Sequence, residues 1–222
     1  MEGVTKELKL LLVEDEALYR DLLAMALTTH QNIQVVGAYE DGGSALAGCR
    51  NKHIDVAVLD IELPGEYNGI QLGLALRNMY PKIGIVLLSN HSDPAFFSAI
   101  PQDKVNGWSY LSKKSVGDIE ALHRAIVGAA EGLVVLDQQL VDKATPRKGS
   151  LLEQLTPRQQ EIISLIAQGY SNAAIAERLV LAPKSVENHI SQMYQVLDID
   201  THNPQIQPRV TAVLTYLQQT RV

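Results

Sequence analysis

Residues 56–65 read VAVLDIELPG. Four apolar residues run straight into Asp60, and Pro64-Gly65 marks a turn just beyond it. An unpaired charge at the tip of a buried strand is costly. Asp60 therefore implies a partner, a metal or a chemical role. Working outward from this stretch, the pattern of a short apolar strand followed by a helix recurs. LKLLLV (8–13), IQVVGA (33–38), HIDVAVLD (53–60), IGIVLLS (83–89) and WSYLS (108–112) read as strands. Between them, 17–29 reads as a helix with Leu18, Leu22, Met25 and Ala26 on one face. GSALAGCR continues as a helix after the Asp41-Gly42-Gly43 turn, and 68–79 is a helix closed by Pro81. A short helix is expected after Asp93-Pro94, ending at Pro101, and a longer one over 115–130 with Ile119, Leu122 and Ile126 at helical spacing. Continuous apolar strands alternating with helices predict a parallel sheet covered on both faces. In such sheets the functional crevice lies at the carboxyl ends of the strands.

Composition narrows the class. The chain has 222 residues, 46% hydrophobic and 20% charged, which suits one or two globular cores. MEGVTKELKL lacks the apolar stretch of a signal peptide, and no apolar run reaches the length of a membrane span. Cys49 is the single cysteine and reads as helix packing, so no internal disulfide is expected. These features predict a cytoplasmic protein with no membrane partner. The net charge is −6, with 14 basic and 19 acidic residues in 1–150 and 5 and 6 in 151–222. Neither half announces nucleic-acid binding by charge alone.

The strand ends carry the chemistry. The first strand ends in Glu14-Asp15, the third in Asp60, the fourth in Ser89, and the fifth runs into Lys113. Three carboxylates, a hydroxyl and an ammonium thus converge on one rim. Clustered carboxylates tolerate one another when a divalent cation sits among them, and Mg²⁺ suits carboxylates, waters and phosphate oxygens. A carboxylate beside such a cation can attack a phosphoryl group and carry it as an acyl phosphate. A lysine would offset charge on the equatorial oxygens.

On these residues the first 6–131 positions resemble a response-regulator receiver domain. The resemblance implies a flavodoxin-like α/β fold with strand order 2-1-3-4-5. It implies that Asp60 is the phospho-acceptor. Glu14, Asp15, Asp60 and the backbone carbonyl of Glu62 would hold Mg²⁺ (or Mn²⁺). Ser89 would be the switch hydroxyl, Lys113 the phosphate-binding lysine and Tyr110 the switch aromatic. Two features depart from the pattern. HSDPAFFSAIPQDKVNG replaces a longer fourth helix and holds both phenylalanines, Phe96 and Phe97, and Lys113 is followed by Lys114 instead of proline.

Beyond Gly132 the pattern changes. GLVVLDQQLVDKATPRKGS (132–150) carries one short apolar helix signal and then a polar stretch, 145–150, read as a flexible linker. From 151 onward the sequence is helical. Pro157 sits at a helix start after Thr156, with Ile162, Ile163, Leu165 and Ile166 apolar, and Gly169 ends the helix. Ser171 caps the next helix, and a tight turn leads to Pro183 and a third. There Val186, Ile190, Met193 and Leu197 form one face, while Lys184, Glu187, Asn188, Ser191, Gln192 and Gln195 form the other. Two helices joined by a tight turn, the second with a polar outer face, are a helix-turn-helix signature. A last helix is expected near 208–219.

LTPRQQEII, GYSNAAIAERL and KSVENHISQM resemble the four-helix DNA-binding domain of the LuxR/NarL/FixJ type. The expected division is 1–131 receiver, 132–150 linker with a short helix, and 151–222 DNA-binding domain. Lys184, Ser185, Glu187, Asn188 and Gln192 are the candidate DNA contacts, with Asn188 suited to adenine and Glu187 to cytosine N4. Together the two resemblances imply a transcription factor, not an enzyme. A partner histidine kinase would phosphorylate Asp60, and a homodimer would then bind double-stranded DNA. The alternative is a receiver that acts as a phosphorylation-independent interaction module. A Mg²⁺-dependent aspartyl phosphatase is a further alternative, weakened because Glu62 stands where such enzymes commonly place an aspartate.

Overall fold

The computed structural model describes residues 7–30, 32–91, 99–101 and 104–221. The helix expected after Asp93-Pro94, with Phe96 and Phe97, lies outside the described residues.

Five strands, β1 (Leu8–Val13), β2 (Ile33–Tyr39), β3 (Val56–Asp60), β4 (Gly84–Ser89) and β5 (Trp108–Ser112), form a parallel sheet in the order β2-β1-β3-β4-β5. Strands β3, β4 and β5 are buried along their whole length. That is why they read as unbroken apolar runs: both faces are covered. Alternate residues face opposite layers. Leu10, Leu12, Val56, Val58, Val86 and Leu88 pack with Leu23 and Leu27 of α1 (Ala17–Thr28) and with residues that α4 (Ile119–Ala130) buries. Leu11, Val13, Ala57, Leu59, Ile85 and Leu87 pack on the other side, where α2 (Gly42–Cys49) and α3 (Gly69–Met79) supply Ala45, Cys49, Leu72 and Leu76. Cys49 is fully buried, as its packing role requires.

Helix α1 is turned differently from the expectation. Leu18, Leu22 and Met25 are 75%, 53% and 68% exposed, and the buried positions are Leu23 and Leu27. The sheet contacts a narrower stripe than the sequence offers, so one of two overlapping apolar faces is left to solvent. Asp41 caps α2 through Ser44, which makes the expected turn glycines the first helical turn. The helix expected over 115–130 is broken at its start. Residues Lys113–Gly117 form a 3₁₀ turn, and Asp118 caps α4. Ser112 accepts from the Lys114 N–H, so the tighter turn comes with its own cap.

The C-terminal helices are α5 (Gln138–Lys143), α6 (Pro157–Ala167), α7 (Asn172–Arg178), α8 (Pro183–Val196) and α9 (Pro208–Gln219). Thr156 and Gln159 form a capping box on α6, and Ser171 caps α7. Gly169, at φ 82°, ends the α6 turn and leaves room for Val135. The polar stretch 145–150 is not a free tether. β6 (Thr145–Pro146) pairs antiparallel with β7 (Thr220–Arg221). Arg147 donates from its backbone to Gln219 and from Nε to Thr220, each at 2.8–2.9 Å. Its polarity satisfies backbone partners at the chain's far end, which a local reading of composition could not foresee.

The two halves share a core. Residues 132–137 run along the open edge of β5: Gly107 N–H donates to Gly132, Tyr110 N–H to Val135, and Tyr110 bridges Leu136 in parallel register. Leu136 N–H then donates to Ala167 at 2.8 Å, at the end of α6. Across the seam the Arg124 guanidinium lies 4.4 Å from the Tyr170 ring centroid, and Arg178 covers the ring at 4.9 Å. The Tyr216 hydroxyl donates to Val141.

Candidate functional site: a carboxylate rim and a helix-turn-helix

Strand β3 delivers Asp60 to the carboxyl edge, and β1 delivers Glu14 one residue past its end. Both are buried, at 1% and 0% exposure. The Lys113 ammonium, placed by the 3₁₀ turn after β5, sits 2.9 Å from Glu14 Oε1 and 2.9 Å from Asp60 Oδ2. The Glu62 N–H donates to the other Asp60 oxygen at 3.0 Å. Gly69 is needed here: a Cβ would lie 2.1 Å from the Asp60 carbonyl oxygen, so only glycine lets α3 begin so close to the strand tip.

Burial pushes the Glu14 carboxyl up to about 7; nearby Asp60 raises it too, and the Lys113 hydrogen bond opposes both. Burial works against the Lys113 charge, but its hydrogen bonds to Glu14 and Asp60 outweigh that and hold it above the usual lysine range. Two groups that sequence reading missed complete the pocket. Glu16 lies 4.0 Å from Lys113, and the Tyr19 ring lies under the ammonium at 5.1 Å. Burial raises the Tyr19 phenol to about 12. Tyr19 lies in the first turn of α1, directly after the loop that holds Glu14 and Asp15, and that nearness in sequence was the available signal. Arg20 donates to the Glu14 carbonyl and ties down the same loop.

Glu14, Asp15 and Asp60 each offer a carboxylate oxygen, all within 4.8 Å of one another. Glu14 Oε2 is buried with no hydrogen-bond partner. An orphaned buried carboxylate oxygen beside two further carboxylates fits a hard divalent cation. Ser89 lies at the end of β4, level with Ser112, and its hydroxyl accepts from the His91 N–H at 3.0 Å. Tyr110 is buried, and its hydroxyl donates to the His91 carbonyl. The Glu62 side chain turns toward Asn90 and His91. Trp108 is core and Lys114 is exposed.

The second set of residues lies on α8. Val186, Ile190 and Met193 are buried, while Lys184, Glu187, Asn188, Ser191 and Gln192 face solvent and Ser185 is half-buried. Lys184 pairs with Glu187 at 2.9 Å. Ala182 offers no side-chain cap, and Pro183 opens the helix. The turn between α7 and α8 puts Val180 at φ 53° with 91% exposure.

Residues 10–127 match the response regulator receiver domain family, and 153–203 match the bacterial regulatory proteins of the luxR family. The chain is 30% identical over 199 residues to the DNA-binding transcriptional activator DevR/DosR of Mycobacterium tuberculosis, covering 86% of this chain and 89% of that protein. It is 26% identical over 215 residues to the transcriptional regulatory protein DegU of Brevibacillus brevis, covering 87% and 89%. A solved structure of two RcsB dimers bound to two parallel DNAs has a TM-score of 0.53 at 19% identity, over 96% of this chain and 99% of that one. That likeness speaks to the fold. The chain belongs to the response regulators of the LuxR type, with a receiver domain and a helix-turn-helix DNA-binding domain. The family regulates transcription and is not a family of enzymes. Among the described residues, no helix is long and apolar enough to cross a membrane.

Proposed function

We propose that Asp60 accepts a phosphoryl group from a sensor histidine kinase, and that this event switches dimerisation and sequence-specific DNA binding in the cytoplasm. The observation that carries the reading is the Lys113 ammonium held between Glu14 and Asp60, beside a carboxylate oxygen with no partner. Glu14, Asp15, Asp60 and the Glu62 carbonyl would hold Mg²⁺ or Mn²⁺, which supplies charge neutralisation for the phosphoryl oxygens. The Asp60 carboxylate attacks phosphorus, forms an acyl phosphate and displaces the kinase histidine. Lys113 is close enough to leave Glu14 and follow the new charge. Ser89 gives up its contact with the His91 N–H to donate to a phosphoryl oxygen. Tyr110 then exchanges its bond to the His91 carbonyl for a new position, since Ser89 and Tyr110 both bond the His91 backbone.

The division of labour follows the chain. Residues 1–131 take the phosphoryl group, 132–150 connect, and 151–222 bind double-stranded DNA. Lys184, Ser185, Glu187, Asn188 and Gln192 form the reading face, with Asn188 and Gln192 toward base edges and Lys184 toward phosphate. Lys184, Glu187, Asn188 and Gln192 of that face are already open to solvent. Control therefore acts on assembly of a homodimer, not on uncovering α8.

The test is the intact mass after incubation with acetyl phosphate and Mg²⁺. Wild type is expected to gain one phosphoryl group, and Asp60→Ala none. No gain in wild type, where a control receiver is labelled, would replace this reading with a phosphorylation-independent interaction module.

A further inference from the structure

Asp137 lies in the connecting segment, 24 positions past Lys113 in sequence, yet its side chain is fully buried. Each of its carboxylate oxygens has a different partner. Oδ2 accepts from the Ser112 N–H at 2.9 Å, on the last residue of β5 and directly before Lys113. Oδ1 accepts from the Gln139 N–H at 2.8 Å and caps α5. One side away, Leu136 N–H is bonded to the end of α6. A buried carboxylate bonded to two backbone donors is a strong, directional link. An N-cap alone would explain one oxygen and leave the other without a reason.

We propose that Asp137 is the positioning residue that couples the Lys113 end of β5 to the DNA-binding half. When Lys113 leaves Glu14 and Asp60 for new charge, the backbone at Ser112-Lys113 shifts with it. Asp137 is bonded to that backbone and to the first turn of α5 together, so the shift reaches α5 and, through Leu136, α6. The bond from Ser112 is the link that joins Asp137 itself to β5. The proposal rests on the phospho-acceptor reading for its trigger, while the mechanical link stands on this geometry alone.

Asparagine at this position separates the two bonds. It is a good helix N-cap, so the amide oxygen keeps Gln139, but its NH₂ cannot accept from Ser112. Asp137→Ser, which caps with a shorter hydroxyl, is the second variant should the first fold poorly. The experiment uses the full chain as wild type and Asp137→Asn, each with and without Lys113→Ala, and reads amide hydrogen exchange over 138–143. Lys113→Ala is expected to change exchange there by about fivefold in wild type and by less than about twofold in the Asp137→Asn background, the non-additivity of residues in one network. Acetyl phosphate with Mg²⁺ is then added and mass is recorded on the same samples. Wild type and Asp137→Asn, both with Lys113 in place, are expected to gain the phosphoryl group, but only wild type should change exchange over 138–143. Equal responses in the two backgrounds would overturn the coupling. A wild type that takes no phosphoryl group would instead defeat the Asp60 reading, and the Lys113→Ala comparison would still decide the role of Asp137.

Discussion

Lys113 holds two buried carboxylates together, and their mutual repulsion is the first thing its removal would release. Breaking a buried ion pair by deleting one partner costs about 3 kcal/mol. Lys113→Ala is therefore expected to lose about that much stability in metal-free buffer, with part restored by millimolar Mg²⁺, as read by urea unfolding with and without the cation. His123 carries a different charge argument. Its ring stacks on His30 at 4.7 Å and its Nε2 meets Asn32 at 3.1 Å. Burial and the neighbouring His30 hold the imidazole below its usual range, Arg124 adds to this, and Glu120 opposes it. A base depressed in the folded state is neutral there and takes its proton in the unfolded chain. Its contribution is present above about pH 6.5 and is lost as pH falls. Wild type is expected to lose more thermal stability between pH 7 and pH 5.5 than His123→Gln, measured by scanning both proteins across that range.

At the scale of elements, the turn between α7 and α8 is strained. Val180 adopts a left-handed backbone that a β-branched residue reaches at a cost, and at 91% exposure its side chain recovers almost nothing by packing. Val180→Asn is expected to stabilise the chain by about 1 kcal/mol, seen as a rise in the unfolding midpoint with the exposed face of α8 unchanged. The same scale shows what the sequence made legible. The parallel sheet followed from apolar strands alternating with helices, because strands buried on both faces read as unbroken apolar runs; the strand order came only from the receiver resemblance. Asp60 and Ser89 close their strands and Glu14 and Lys113 follow theirs by one residue, which is why the sequence offered all four as candidates. The exposed stripe of Leu18, Leu22 and Met25 was misread, since α1 offers two overlapping apolar faces and only tertiary packing chooses between them. Asp137 was missed because an aspartate ahead of a short helix reads as a local cap, and its second bond spans 25 positions.

Over the whole molecule, the connection is held from its far end. β6 pairs with β7, and Arg147 reaches Gln219 and Thr220, so the last residues brace the segment between the two halves. Removing 219–222 is expected to speed tryptic cleavage at Arg147 and Lys148 about tenfold, because local opening sets access to the bond. Time courses on the full and shortened chains would show it; equal rates would mean the brace contributes nothing. The run of residues 132–137 along β5 has a consequence of another kind. A strand at the rim of a sheet presents unpaired amides and carbonyls that invite a neighbouring molecule to add its own strand. Here the chain lays its own backbone over that rim and carries on into the next domain. The connecting segment thus doubles as a guard against strand-to-strand aggregation, and a receiver cut off at residue 131 would expose the rim that the intact protein keeps covered.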